Sequence, residues 1–248
     1  MRTPCTTRRW VLVTGAGIRV GRAVALAFAE AGCDVILHAN RSRGEADRVA
    51  DAARALGREA RVLVADLSRD EEVDRLAAQV AEAADALEAV VHNAGIYERV
   101  PFASIDRARY RRMQAINLEA PFFLTQALLP LLERGERPSV IHVTDIAGER
   151  AEPGYAHYAV SKAGLSMLTR SLAVELAPRI RVNAIAPGTV AFPEAMGEAE
   201  RKAILDRIPM GREGDCDDVA RAAVFLALHA PYVTGQVLAV DGGRSAFL

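Results

Sequence analysis

Apolar residues in this chain fall into short runs separated by longer stretches of helical periodicity. Residues 10–13 (Trp-Val-Leu-Val) form the first run; a glycine-rich turn, Thr14-Gly15-Ala16-Gly17-Ile18-Arg19-Val20-Gly21, follows, then a helical pattern over 23–31 that stops at Gly32. The alternation continues to the end. It predicts strands over 35–37, 60–65, up to 92, 140–144, 180–185 and 237–240, and helices over 44–56, 71–84, 107–133, up to about 177 before Pro178, 198–207 and 217–228. Strands that alternate with helices imply an α/β fold, a Rossmann-like doubly wound parallel sheet of about seven strands. No linker, repeat or low-complexity segment interrupts the pattern, so a single domain over 1–248 is expected.

In such sheets ligands sit beyond the carboxyl ends of the strands. Gly15, Asn93, Asp145 and Gly188 each follow a predicted strand end, so one cleft can gather them. The glycine turn, placed between the first strand and its helix, aims backbone N–H groups and a positive helix end at a phosphate. At the end of the second strand, an acidic residue would accept from a ribose hydroxyl. This chain has His38-Ala39-Asn40-Arg41-Ser42 instead. Arg41 can grip a 2′-phosphate with two donors and Ser42 can add a third, which points to NADP(H). Asp66-Leu67 after the third strand suits an adenine contact, or Asp66 caps the next helix, a role open to Asp70 as well.

Tyr158 and Lys162 lie four residues apart, on one side of a predicted helix. Moving a tyrosine from its ordinary ionisation near pH ~10 to neutrality takes about 4 kcal/mol. A cation ~4 Å away in partly screened surroundings supplies roughly that much. Composition sharpens the pair: of 31 basic residues only Lys162 and Lys202 are lysines, so a lysine at this position suggests a need for a compact ammonium. His157 neighbours Tyr158 but faces another way along the helix.

The remaining composition mostly excludes. A net charge of -1 gives no field for nucleic acid. The 3 cysteines, Cys5, Cys33 and Cys216, are scattered, which suits a reducing, cytoplasmic setting without disulfides, and they and the 5 histidines show no metal-ligand spacing. Thr7-Arg8-Arg9 before an apolar run has the look of a twin-arginine signal, but the run is too short for one and is expected to be a strand. No stretch of eighteen apolar residues suggests a membrane span.

As an ordered set, Thr14-Gly15…Gly21, Asp66, Asn93-Ala94-Gly95, Asn117, Tyr158…Lys162 and Pro187-Gly188 resemble the short-chain dehydrogenase/reductase family over essentially the whole chain. Two departures are informative. Arg19 stands where that family usually has its middle glycine, and Asp145, thirteen residues before Tyr158, stands where it usually has serine. Both are similar to the pteridine reductase branch, as are Arg41-Ser42 and Tyr97, four residues after Asn93.

The resemblance implies an NADPH-dependent reductase of dihydropterins, with dihydrofolate as a further substrate. In it Asp145, Tyr158 and Lys162 are catalytic. Gly15, Arg19, Val20, Gly21, Asn40, Arg41, Ser42, Asp66, Leu67, Asn93, Ala94, Gly95, Tyr158, Lys162, Pro187 and Gly188 hold the cofactor. Arg19, Tyr97, Asp145 and Tyr158 meet the pterin, residues 192–207 cover it, Asn117 serves helix geometry or a proton-relay water, and the assembly is a homotetramer. Chemistry agrees on Asp145: an ionised carboxylate only accepts hydrogen bonds and would repel a nascent alkoxide, whereas a pterin offers N–H donors and takes a proton at a ring nitrogen. Asp145 would also favour a neutral Tyr158. A carbonyl reductase of 3-oxoacyl thioesters and a non-catalytic NADP(H)-binding regulator are the competing expectations.

Overall fold

The computed structural model describes residues 8–192 and 196–246. Seven parallel strands form one sheet in the order β3-β2-β1-β4-β5-β6-β7. They are β1 (Trp10–Thr14), β2 (Asp34–Ala39), β3 (Ala60–Val64), β4 (Leu87–His92), β5 (Ser139–Val143), β6 (Arg181–Pro187) and β7 (Val237–Val240). The Arg8-Arg9 pair therefore leads into a strand, while Thr7 and Cys5 lie outside the described residues.

Every residue of β1, β2, β4 and β5 is buried, because helices cover both faces of the sheet. Alternate side chains feed opposite layers. Val11, Val13, Val35 and Leu37 join a core with α1 (Arg19–Glu30) and α2 (Arg43–Ala55). Leu12 and Ile36 join the other core, with α3 (Asp70–Ala83).

The helical run expected over 107–133 is divided. It comprises α4 (Arg107–Gln114), a π turn (Ala115–Glu119) holding the buried Asn117, and α5 (Ala120–Leu132). Hydrophobic periodicity does not register one extra residue in a turn, and such bulges concentrate near functional sites. By length and mean hydropathy (1.3) Arg107–Leu132 passes as a membrane span, yet Leu124, Leu128, Leu131 and Leu132 are buried in the sheet core. The last helices are α6 (Ala156–Glu175), α7 (Glu198–Leu205) and α8 (Cys216–Val224), α8 continuing into a second π turn (Phe225–His229). α6 ends ahead of Pro178 because the residue before a proline resists helical dihedrals. α1 starts four residues earlier than its periodicity shows, since Arg19 to Arg22 carry little apolar signal.

Two histidines lie inside this core. The His92 and His142 rings are 5.3 Å apart; His92 Nε2 and Thr125 Oγ1 share a 2.8 Å hydrogen bond. Thr169 Oγ1 donates its hydrogen to Leu165 O, so His142 Nδ1 must be the donor to Thr169 Oγ1, at 2.8 Å. Burial drives both pKa values down, His92 to about 3. Unfolded histidine binds a proton near 6.5, whereas native His92 does not until about 3. Stability should be complete above pH 6.5 and fall as the pH drops toward 3, by about 1.4 kcal/mol per pH unit for each such histidine. Urea midpoints measured from pH 7.5 to 4.5 should show this slope, and His92→Gln should flatten it. A flat wild-type profile would contradict the burial of neutral rings.

Candidate functional site

At the carboxyl ends of the strands lies a cleft of about 1470 Å³, lined by every residue assigned above to cofactor, substrate or chemistry, from Gly15 to Gly188. Asn117 is not among its lining residues.

The floor of one half is the glycine turn. Gly15 has φ +65, and a Cβ on Gly21 would sit 2.0 Å from Gly15 O, so neither place accepts a side chain without rearrangement. α1 is preceded by Ile18, which offers no side-chain cap, and has no acid in its first turn, leaving its leading N–H groups and positive end to the cleft. A pyrophosphate fits that cradle. Asn93 braces it: Nδ2 donates to Thr14 O (2.9 Å) and Gly15 O (3.1 Å), and its backbone N–H donates to Thr14 Oγ1 (3.0 Å).

His38 is a second brace that the sequence did not single out. Gly15 N donates to His38 Nδ1 at 3.2 Å, which places the ring proton on Nε2, 3.0 Å from Ala65 O. Burial lowers the His38 pKa and so preserves the acceptor that the turn needs. Its one sequence signal was a place at the end of β2, beside the residues read for phosphate. Asn40, Arg41 and Ser42 line the cleft there, and no acidic side chain occupies the ribose position. Ser42 precedes α2 without spending its hydroxyl on a cap, which suits a third phosphate. Asp66 caps no helix: its Oδ1 accepts from Ser68 N (3.0 Å) and Ser68 Oγ (2.8 Å). Asp70 lies inside the first turn of α3, whose N-cap is Arg69, so neither aspartate is the cap.

In the other half, Asp145 follows the end of β5 by two residues and the first turn of α6 carries Tyr158 near it. Tyr158 Oη donates to Asp145 Oδ2 at 2.8 Å, while Asp145 Oδ1 accepts from Ala147 N at 2.8 Å. Burial, then the Asp145 charge and hydrogen bond, push the phenol well above its ordinary pKa. Burial also raises Asp145, opposed by the Ala147 N–H, the Tyr158 hydroxyl, Lys162 and Arg244.

Of the two opposed expectations, lowering of Tyr158 by Lys162 and a neutral phenol beside Asp145, the second prevails. Lys162 Nζ donates to Val143 O at 2.8 Å and stands 5.8 Å from the Tyr158 ring centre. Burial depresses its own pKa to about 8. Asn117 spends its side chain on Ile96 N (2.9 Å), Ile96 O (3.0 Å) and Ser161 Oγ (3.1 Å), tying the loop after β4 to α6.

Tyr97, 62% exposed, stacks on Tyr155 at 4.7 Å and meets the Tyr158 ring edge-on at 4.9 Å. Tyr155, unnoticed in the sequence, thus shares the slot. Arg19 takes φ 49, the left-handed region, and its Nη2 donates to Ala191 O at 2.9 Å in the segment after β6. Of residues 192–207, Pro193, Glu194 and Ala195 lie outside the described residues; Phe192, Met196, Glu200, Ala203, Ile204 and Arg207 line the cleft.

A family model described as "Enoyl-(Acyl carrier protein) reductase" matches residues 15–245. An uncharacterized oxidoreductase from Mycobacterium tuberculosis is 40% identical over 94% of this chain and 90% of its own. The 3-oxoacyl-[acyl-carrier-protein] reductase FabG of Aggregatibacter actinomycetemcomitans is 38% identical over 94% of this chain and 98% of its own. Among solved structures, FolM alternative dihydrofolate reductase 1 from Brucella canis, complexed with NADP, superimposes with a TM-score of 0.88 at 31% identity, covering 97% of this chain and 95% of that one.

His38→Leu would leave Gly15 N–H and Ala65 O without partners, at a cost of about 1–3 kcal/mol. The variant should unfold at lower denaturant and bind NADPH at least about 5-fold more weakly, since each 1.4 kcal/mol is tenfold in affinity. Fluorescence titration with NADPH checks this, and unchanged affinity would show that the turn does not depend on the ring.

Proposed function

The chain belongs to the short-chain dehydrogenase/reductase family and is an NADP-dependent reductase of that type; we propose that it reduces a dihydropterin, with dihydrofolate as a further substrate. One observation carries the proposal: the Tyr158 hydroxyl is committed to a half-buried carboxylate, Asp145, at 2.8 Å. A ketone becoming an alkoxide needs donors on both sides, and Asp145 as a carboxylate has none to give. A ring nitrogen taking up a proton beside ring N–H groups is matched by a phenol donor and an adjacent acceptor.

NADPH bound along the cleft would supply a hydride to the ring carbon. The chain's part is to hold the ring and deliver a proton to the neighbouring nitrogen. Tyr158, kept neutral by burial and by Asp145, is the donor. Giving up that proton leaves the negative charge on the Tyr158 oxygen until a proton from solvent restores it, while Asp145 accepts from ring N–H or NH₂ groups. Lys162, fixed on Val143 O, is placed for the nicotinamide ribose. Tyr97 and Arg19 position the pterin, and the glycine turn, Asn93, Arg41 and Ser42 hold the cofactor. We also assign the exposed residues Phe122, Phe123, Val160, Met167 and Val174 on α5 and α6 to the interfaces of a homotetramer, for which light scattering should return four times the chain mass of 26.7 kDa.

A second reading is reduction of 3-oxoacyl thioesters. The named FabG relative speaks more directly for it than for the first, whereas the FolM structure supports the pterin. NADPH oxidation against dihydropterins, dihydrofolate and 3-oxoacyl thioesters separates them. Pterin turnover should dominate, and Tyr158→Phe should lose about 10²-fold or more. Asp145→Ser should lower pterin turnover and raise that of the ketone. Thioester turnover in the wild type that exceeds pterin turnover and rises further in Asp145→Ser would reverse the assignment.

A further inference from the structure

Beyond Asp145 the cleft opens between the segment before α6, the segment after β6 and the turns around α7 and the end of β7. The charges on that outer wall are lopsided. Among the described residues, Arg99, Arg150, Arg207 and Arg244 line it against Glu152 and Glu200. The whole chain has net charge -1, so this local excess of guanidinium is not a reflection of overall composition.

The geometry around Glu152 is specific. Arg244, whose side chain is only 15% exposed, donates to Thr189 Oγ1 at 3.0 Å and to Glu152 Oε1 at 2.5 Å. Arg207 Nη1 stands 3.6 Å from the same Oε1 with its side chain 63% exposed. One carboxylate oxygen thus serves two cations. Arg244 is held in place by the protein, while Arg207 reaches it from solvent at a distance longer than a hydrogen bond. A planar guanidinium offers a paired donor edge to a carboxylate, so an incoming carboxylate can give Arg207 the two-point contact that Glu152 does not.

We infer that Arg207 and Arg244, with Glu152 between them, form a carboxylate-binding subsite for the tail of the substrate. The inference rests on the pterin reading and adds to it: the ring enters the Tyr97–Tyr155 slot, and an anionic substituent such as the glutamate of a folate extends to this wall. Glu152 acts as a resident stand-in for that carboxylate, holding Arg207 over the opening until the ligand replaces it.

The test compares two oxidised, non-reacting ligands with the same ring, folate and biopterin, titrated by calorimetry into the NADP⁺-loaded protein. Folate should bind about 10-fold more tightly at low salt, with most of the advantage lost at ~0.5 M salt, where the Debye length falls to a few ångströms. Arg207→Gln should weaken folate by about 5-fold and biopterin by less, as expected for loss of one charge-assisted contact. Glu152→Gln should do the reverse and tighten folate relative to biopterin, a sign that a purely structural glutamate would not produce. Equal affinities that ignore salt and both substitutions would overturn the subsite while leaving the pterin assignment in place. Binding of neither ligand would overturn both, and salt-sensitive binding of 4′-phosphopantetheine alone would give the wall to the thioester reading.

Discussion

The hydrogen bond from Tyr158 to Asp145 joins a buried phenol to a half-buried carboxylate in the cleft, and the electrostatics of the site follow from that partial isolation. Burial is the first cause of the shift at all three central groups: it raises Tyr158, raises Asp145 and lowers Lys162. Each is pushed toward its neutral form, and the charges that remain are those with a close partner. A phenol facing a serine would be free to lose its proton to the field of a nearby lysine. Facing a carboxylate, it is held in its protonated form. The residue at 145 therefore changes what the tyrosine can do without moving it.

The sheet supplies the geometry. Its order, β3-β2-β1-β4-β5-β6-β7, reverses direction between β1 and β4, which opens a crevice above the strand ends at that place. Gly15 and Asn93 terminate those two strands, and the Asn93 amide hydrogen bonds cross between them. One strand further on, β5 delivers Asp145, and β6 delivers Pro187 and Gly188. Cofactor cradle and reacting groups thus come from neighbouring strands with no long loop required to aim them. His38 extends the brace in the other direction, linking β2 to the turn and to the end of β3 through Ala65 O.

Much of this was legible in the chain because it is local. Seven apolar runs gave seven strands, and β7 agrees to the residue. Glycines at 15 and 21 and the run from Asn40 to Ser42 declare their surroundings through backbone need and charge. What the sequence concealed depends on contacts between distant segments. The π turn at Asn117 is one added residue in a helix, invisible to a periodicity of 3.6. The distance between Lys162 and the phenol follows from Val143 O capturing the ammonium, and nothing in Tyr-x-x-x-Lys specifies that acceptor. His38, Tyr155, Glu152 and Arg244 become noticeable only when strand ends and the C-terminal turn share a wall.

Arg19 shows how the two halves of the cleft are joined. A non-glycine residue with φ 49 carries roughly 1–2 kcal/mol of backbone cost, which a glycine would avoid. That conformation aims the side chain across the opening, where it donates to Ala191 O in the segment leading to α7. Thr189 of the same segment is held by Arg244, through which the outer wall connects to Glu152. Arg19 is thus both the first residue of α1 and a contact to the segment after β6. A guanidinium has five donors, enough to meet an anion in the cradle and a carbonyl above it. Through Ala191 O, an arginine at this position ties the glycine turn to the segment that follows β6.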